Sequence, residues 1–414
     1  MSQTNRSLSR PACPVSDIDT FSDEFLSDPY PFHETLRELG PVFWLERYGV
    51  YGMARHAEVH AALLDWETYC SGRGAGIEDF AKVKSWRPPS KLLEVDPPLH
   101  TRTRFVMNRI LSPAAMRQVR ETFAAKAEAL AEGLTAKGEI DAIKELAEVF
   151  PLHVFPDAVG LRPEGRENLL PFANMVFNSF GPPNSIFKES VRNAAPVVQW
   201  IYDQCSREVL RPGGFGFQVW DAFDAGEIDA DEAATLVRAM LTAGLDTTVN
   251  GIANAIYAFA THPDQWRLLR DDPSLIRQSF DEVLRWESPV QTFFRTTTRE
   301  VEVAGTTIPE GEKVLLFLGA ANRDYRKFPD PECFDIRRRP IGQVGFGAGI
   351  HTCVGQLVAR LEVELILTAL LKRVETMELA AEPTRRLNNT LRSIGSLPVR
   401  FRKSAKGQLS PALQ

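Results

Sequence analysis

Apolar residues recur at intervals of three and four through most of this chain, and that helical period constrains the fold more than any other feature. It runs through Phe32–Leu39, Pro113–Leu134, Asp231–Ala260, Pro263–Arg270, Leu275–Trp286 and Val354–Val374. Strand-like runs sit mainly in Val42–Ala54 and Val301–Leu318, where Gly305, Pro309 and Gly311 mark turns. The pattern predicts a mainly α, helix-rich fold with a smaller β-sheet part rather than alternating βαβ units.

Length and composition narrow this further. The 414 residues contain no Ser/Gly-rich or charge-rich linker, so one domain is expected over 19–404, flanked by a disordered tail of 1–18 and a C-terminal tail of 405–414. The longest apolar stretch, Val314–Ala321, is far short of the roughly 20 residues that span a bilayer. No membrane crossing is expected, and the polar first residues lack the apolar core of a secretory signal, so a cytoplasmic location is expected. A net charge of −6 with both signs interspersed argues against nucleic acid as a partner. Five cysteines without a CxxC pair indicate neither a disulfide framework nor a zinc site. The glycine clusters at 72–76 and 345–349 lack GxGxxG spacing, and no GxSxG, HExxH or GxxxxGK[ST] motif is present.

The chemistry-bearing segment is Val344–Gln356, VGFGAGIHTCVGQ, in which four glycines deliver Cys353 to the start of an amphipathic helix. Unpaired amides and the positive dipole end there favour a thiolate, and the glycines allow close approach to a flat partner. A purely structural cysteine would not call for glycines at 345, 347, 349 and 355. The spacing Phe346-x-x-Gly349-x-x-x-Cys353-x-Gly355 resembles the haem-binding signature of the cytochrome P450 family. That resemblance implies haem b (iron protoporphyrin IX), with Cys353 as the proximal iron ligand. It also implies propionate contacts from His351, from His100 and Arg104 in the DPPLHTRTR segment, and from Arg295.

The middle of the long apolar segment, Ala243-Gly244-Leu245-Asp246-Thr247-Thr248, is built of weak helix formers. Local propensity argues against a regular helix there, and a threonine bonded back to a carbonyl could open a bulge. Small residues at 239, 243 and 247 leave room on one face for something bulky, or equally serve close helix–helix packing. The run is similar to the family's distal oxygen-activation motif. Thr247 would supply the hydroxyl at the oxygen site, and Asp246 a carboxylate that relays protons. Glu282-x-x-Arg285 with Arg338 resembles the family's Glu-Arg-Arg triad, which supports the cysteine loop.

Runs such as Trp86–Ser90, Phe177–Asn184 and Ser288–Glu300 resemble a bacterial subgroup that oxidises para-substituted benzoates, notably by O-demethylation of 4-methoxybenzoate. The resemblance implies that Arg87 and Ser90, beside Arg238, hold the substrate carboxylate. Phe177, Phe180, Phe293, Leu93, Val290 and Ala243 would sandwich the ring. One departure is Ala239, where the subgroup has serine. Other implied partners are O2, a [2Fe-2S] ferredoxin and an NADH-dependent flavin reductase. Arg102, Arg109, Arg120 and Lys126 are a candidate basic patch for the ferredoxin. Three alternatives share the loop: action on another small aromatic acid, a peroxygenase, and a non-catalytic haem sensor. The Asp246-Thr247 pair speaks against the last two.

Overall fold

The computed structural model describes residues 12–404, and among these fifteen α-helices accompany thirteen mostly short strands. The fold is mainly α, as the apolar period predicts. Helices Tyr30–Leu39, Pro113–Lys137, Pro263–Asp271 and Ile276–Trp286 follow the expected segments. The central helix, Ala230–Thr261, begins at a capping box: Asp229 accepts from the Glu232 amide while Glu232 accepts from the Asp229 amide. It stays regular through Asp246-Thr247-Thr248, contrary to the bulge that propensity suggests. Thr247 and Thr248 donate back to the Ala243 and Gly244 carbonyls at 2.7 and 3.2 Å, and burial of both flanks holds the ladder closed.

Two boundaries differ from expectation. The helix after the cysteine loop is Gln356–Leu371, and Val374 opens the strand Val374–Leu379. Val15–Ser16, inside the segment expected to be a disordered tail, pairs in parallel with Phe43–Leu45, because that edge offers its ladder groups to Pro14 and Ser16. Residues 1–11 and 405–414 lie outside the described residues. Helices Val149–Val159, Leu169–Asn178 and Phe215–Asp224 went unread; the prolines at 151 and 156 mask the first.

A six-stranded sheet runs in the order Val15–Ser16, Phe43–Leu45, Val50–Met53, Lys313–Phe317, Thr292–Thr297, Tyr69–Cys70. A second sheet places Pro398–Lys403 between Val374–Leu379 and Glu139–Asp141. The central helix buries Leu236, Leu241, Leu245, Val249, Ile252, Ile256 and Phe259, each side chain contributing about 1.5–3 kcal/mol. Its packing against Val149–Val159 and Leu169–Asn178 on one side and Gln356–Leu371 on the other leaves a cavity facing the cysteine loop.

Candidate active site

Cys353 stands at one wall of a cavity of about 410 Å3. Its amide donates to the Phe346 carbonyl at 2.8 Å, which closes the loop on itself. Gly347 and Gly349 adopt φ of +70° and +69°, and a Cβ on Gly349 would lie 2.5 Å from the Leu63 carbonyl oxygen. Phe346 packs edge-on against Phe280 beneath the Arg360 guanidinium, 5.0 Å from its ring centre. The triad braces this arrangement. Arg285 forks onto Glu282 at 2.7 Å and donates to the Asn322, Pro331 and Cys333 carbonyls. Arg338 joins Glu282 at 3.1 Å, and the Asn322 side chain accepts from the Val344 amide at the head of the loop.

The helix N-terminus does not by itself secure a thiolate. Burial pushes the Cys353 thiol up, against the Gly355 and Gln356 amides and the Arg104 and Arg360 guanidiniums. A cation bonded to the sulfur would reverse that balance, and among the described residues no His/Cys/Asp/Glu cluster offers another metal site.

Around the same cavity lies a set of bases short of counter-charge. His351 and His100 pack with ring centres 4.4 Å apart and planes tilted by 59°, and each leaves Nε2 buried without a hydrogen bond. His351 and Arg295 line the wall, as does Arg104, whose Nε reaches Asn108; His100 stands behind His351. Burial lowers Arg295 to about 10, and burial with His351 and Arg104 lowers His100 to about 4. The carboxylate nearest His351, Asp96 at 3.9 Å, is already bonded to the Ser71 and Gly72 amides. Two propionates would relieve these bases, so cysteine, apolar slot and basic collar fit haem.

Thr247, Ala243 and Gly244 of the central helix line the same cavity. Asp246 turns away from the cavity and is 1% exposed; Oδ1 accepts from Arg386 at 3.3 Å and Oδ2 has no partner. Burial raises its pKa, Arg386 opposes this, and Glu148 adds to it. Arg386 also lies 4.0 Å from Glu148, which bonds the exposed Lys144, so a line of charges leads from Asp246 to the surface.

Phe177 and Phe180 form one apolar cluster with Leu93, Val290 and Phe293 packed on it, and all five line the cavity. Arg87, Ser90, Arg238 and Ala239 line it too. Arg87 is not free, however. Both terminal nitrogens bond Glu94 at 2.7 and 2.8 Å, and its guanidinium lies over Phe180. The Ser90 amide also donates to Glu94, and the Ser90 hydroxyl oxygen accepts from the Leu92 and Leu93 amides. Arg238 reaches the Pro88 carbonyl and the Tyr202 hydroxyl.

Of the residues expected at the site, His100, Gly349 and Asp246 stand behind the wall rather than on it. The four candidate patch residues are all ion-paired: Arg102 with Glu232 and Arg109 with Glu227, while Arg120 shares Glu364 with Arg277 and Lys126 shares Asp157 with Arg166 and Arg211, so positive charge stays in excess at the last two. Sequence reasoning missed Glu94, seven positions after Arg87, and Arg386, which no motif links to Asp246.

The cytochrome P450 family profile matches residues 269–401. The cytochrome P450 CYP199A2 of Rhodopseudomonas palustris is 56% identical over 400 residues, covering 96% of this chain and 95% of its own. Among solved structures, CYP109Q5 from Chondromyces apiculatus is 30% identical with a TM-score of 0.79, covering 94% of this chain and 99% of its own. A cytochrome P450, CREJ, in complex with (4-ethylphenyl) dihydrogen phosphate is 25% identical with a TM-score of 0.81, covering 91% and 98%. Identity of that extent falls on a chain whose cysteine loop, basic collar and threonine wall already enclose one cavity, and the protein therefore belongs to the cytochrome P450 family of haem-dependent monooxygenases.

Proposed function

We propose that the protein oxidises a para-substituted benzoate, foremost by O-demethylating 4-methoxybenzoate to 4-hydroxybenzoate and formaldehyde. The observation that carries this reading is a single aromatic-walled cavity with Arg87, Ser90 and Arg238 among its polar lining and Cys353 on another wall. Arg238 and Thr247 are nine positions apart on one helix, roughly 13 Å along its axis at 1.5 Å per residue. A benzoate lying lengthwise, with its acid near Arg238, would present its para substituent toward Thr247. Phe177, Phe180 and Phe293 would hold the ring by edge contacts, and that positioning becomes regioselectivity. The CREJ ligand, a para-substituted phenyl ring with an acidic head group, is of the same general shape.

Cys353 would hold the haem, His351, Arg104 and Arg295 with His100 behind them would meet its propionates, and the group would supply activation of O2 by two external electrons. The overall reaction consumes the methyl ether, O2, two electrons and two protons, and releases formaldehyde, the phenol and water. The Thr247 hydroxyl, on the cavity wall, donates a hydrogen bond where oxygen is reduced. Asp246 and Arg386 move protons inward from the Glu148 side. A [2Fe-2S] ferredoxin with an NADH-dependent flavin reductase delivers the electrons, in line with the absence of a dinucleotide motif in the sequence. Ala239 leaves the acid end one hydroxyl short, so water completes the carboxylate's shell there.

Optical titration of the ferric protein with 4-methoxybenzoate tests the reading, followed by turnover with ferredoxin, reductase and NADH. A low- to high-spin shift and equimolar 4-hydroxybenzoate and formaldehyde are expected. A haem band that ignores the acid would remove the benzoate assignment.

A further inference from the structure

The acid end of the cavity already contains a carboxylate. Glu94 is 2% exposed, and its two oxygens take both terminal nitrogens of Arg87 together with the Ser90 amide. The remaining Arg87 nitrogen faces the Ser179 hydroxyl at 3.4 Å. The donors that would grip a bound acid are therefore satisfied from within. Arg238, by contrast, lies within 4.0 Å of no carboxylate among the described residues, and its partners are the neutral Pro88 carbonyl and Tyr202 hydroxyl. Arg87, Arg238 and Glu94 together leave one net positive charge at this end of the cavity.

We infer that Glu94 is a specificity-determining residue that limits the site to aryl substrates bearing a single negative charge. The inference rests on the aryl-acid reading above and deepens it. A monoanion matches the one uncompensated charge of Arg238 and takes its orientation from the Arg87–Glu94 pair, whose rigid fork also seats the guanidinium over Phe180. A dianion brings a second charge that finds no free cation and faces the Glu94 carboxylate instead. Like charges set side by side in a partly desolvated site are strongly unfavourable. A neutral analogue is indifferent to Glu94.

Spin-state titrations of the haem-loaded protein with three ligands test this: 4-methoxybenzoate, 4-methoxyphenyl phosphate and the neutral 4-methoxybenzyl alcohol. At about pH 8 the aryl phosphate carries close to two negative charges. The wild type is expected to bind the benzoate at least about tenfold more tightly than the phosphate, the scale of one uncompensated charge across a half-buried site. Glu94→Gln should tighten phosphate binding about tenfold, while the alcohol changes less than about twofold. Glu94→Asp, which keeps the charge, should retain the wild-type preference. Equal wild-type affinities for benzoate and phosphate would overturn the inference even if the glutamine variant failed to fold. So would a Glu94→Gln protein whose ratio is unmoved, or an aspartate variant that loses discrimination equally. A wild type whose haem responds to the alcohol but to neither anion would instead sink the aryl-acid reading itself.

Discussion

At the scale of single residues, Thr247 and Asp246 divide the distal chemistry between the cavity and what lies behind it. Thr247 lines the cavity, and its Oγ1 donates a hydrogen bond to the Ala243 carbonyl at 2.7 Å, a bond it can exchange for one to a ligand. Thr247→Ala removes the hydroxyl without disturbing the helix, whose ladder does not depend on it. The expected result is continued NADH consumption with product per NADH falling several-fold and hydrogen peroxide rising in proportion, measured by paired assays. Coupled product formation would show that the hydroxyl is a bystander. Both residues stand out in the sequence as weak helix formers in an apolar segment, but only the resemblance to the family's oxygen-activation motif gives them roles. Glu94 and Arg386 do not stand out. A glutamate seven positions after an arginine, and an arginine 140 positions after an aspartate, carry no signal until the chain is folded. That Arg87, which the resemblance offers for the substrate carboxylate, already has both terminal nitrogens on Glu94 was hidden for the same reason.

At the scale of elements, the central helix reconciles poor local propensity with regular geometry, and Gly244 shows why. A Cβ there would collide with the Phe155 ring, which is 3% exposed in the helix Val149–Val159 and lines the same cavity. Gly244→Ala gains about 1 kcal/mol of helix propensity but overpacks a closed interface at a cost of about 1–3 kcal/mol. Packing wins. The variant is expected to melt at lower temperature than the wild type, and Phe155, displaced toward the cavity, should weaken 4-methoxybenzoate binding several-fold. A variant that is more stable with unchanged affinity would mean that the ring yields freely. The helices that could be read from the sequence are those with an apolar stripe, capped as Pro113–Lys137 is by Ser112 or uncapped as Ile276–Trp286 is. The sheet joining Glu139–Asp141 to Pro398–Lys403 could not be read, because each strand is short and its partner lies more than 250 residues away. The helix N-terminus predicts a favoured thiolate at Cys353, with iron ligation implied by the resemblance, whereas in the fold burial outweighs the amides and pushes the thiol up.

At the scale of the whole molecule, one buried carboxylate ties together parts of the chain that are remote in sequence. Glu287, at the end of the helix Ile276–Trp286, accepts from the Tyr30 hydroxyl at 3.0 Å, from Arg392 at 3.0 Å and from Arg385 at 2.8 Å, with Arg323 at 3.6 Å. Burial alone would push this carboxyl up, but Arg392, Arg385 and Arg323 outweigh it and hold the group at about 2, against an ordinary value of 4.5. A depressed carboxylate stabilises the fold fully above its unfolded value and loses that contribution as the pH falls through the folded one. The shift corresponds to about 3 kcal/mol, comparable to the cost of breaking a buried ion pair. Glu287→Gln should therefore unfold in less denaturant than the wild type at neutral pH, since three guanidiniums lose a shared buried counter-charge and Arg385 is left with none, while Arg323 keeps Glu332 and Arg392 keeps Asp28. The gap should hold down to about pH 4.5 and then narrow toward pH 2, because acid removes from the wild type the charge the variant never had. Parallel denaturation series from pH 7 down to the acid limit of the wild type would follow it. A gap that stays constant below pH 4.5 would mean that the carboxylate acts through its hydrogen bonds alone, with its charge contributing nothing to the joining of Tyr30, Arg323, Arg385 and Arg392.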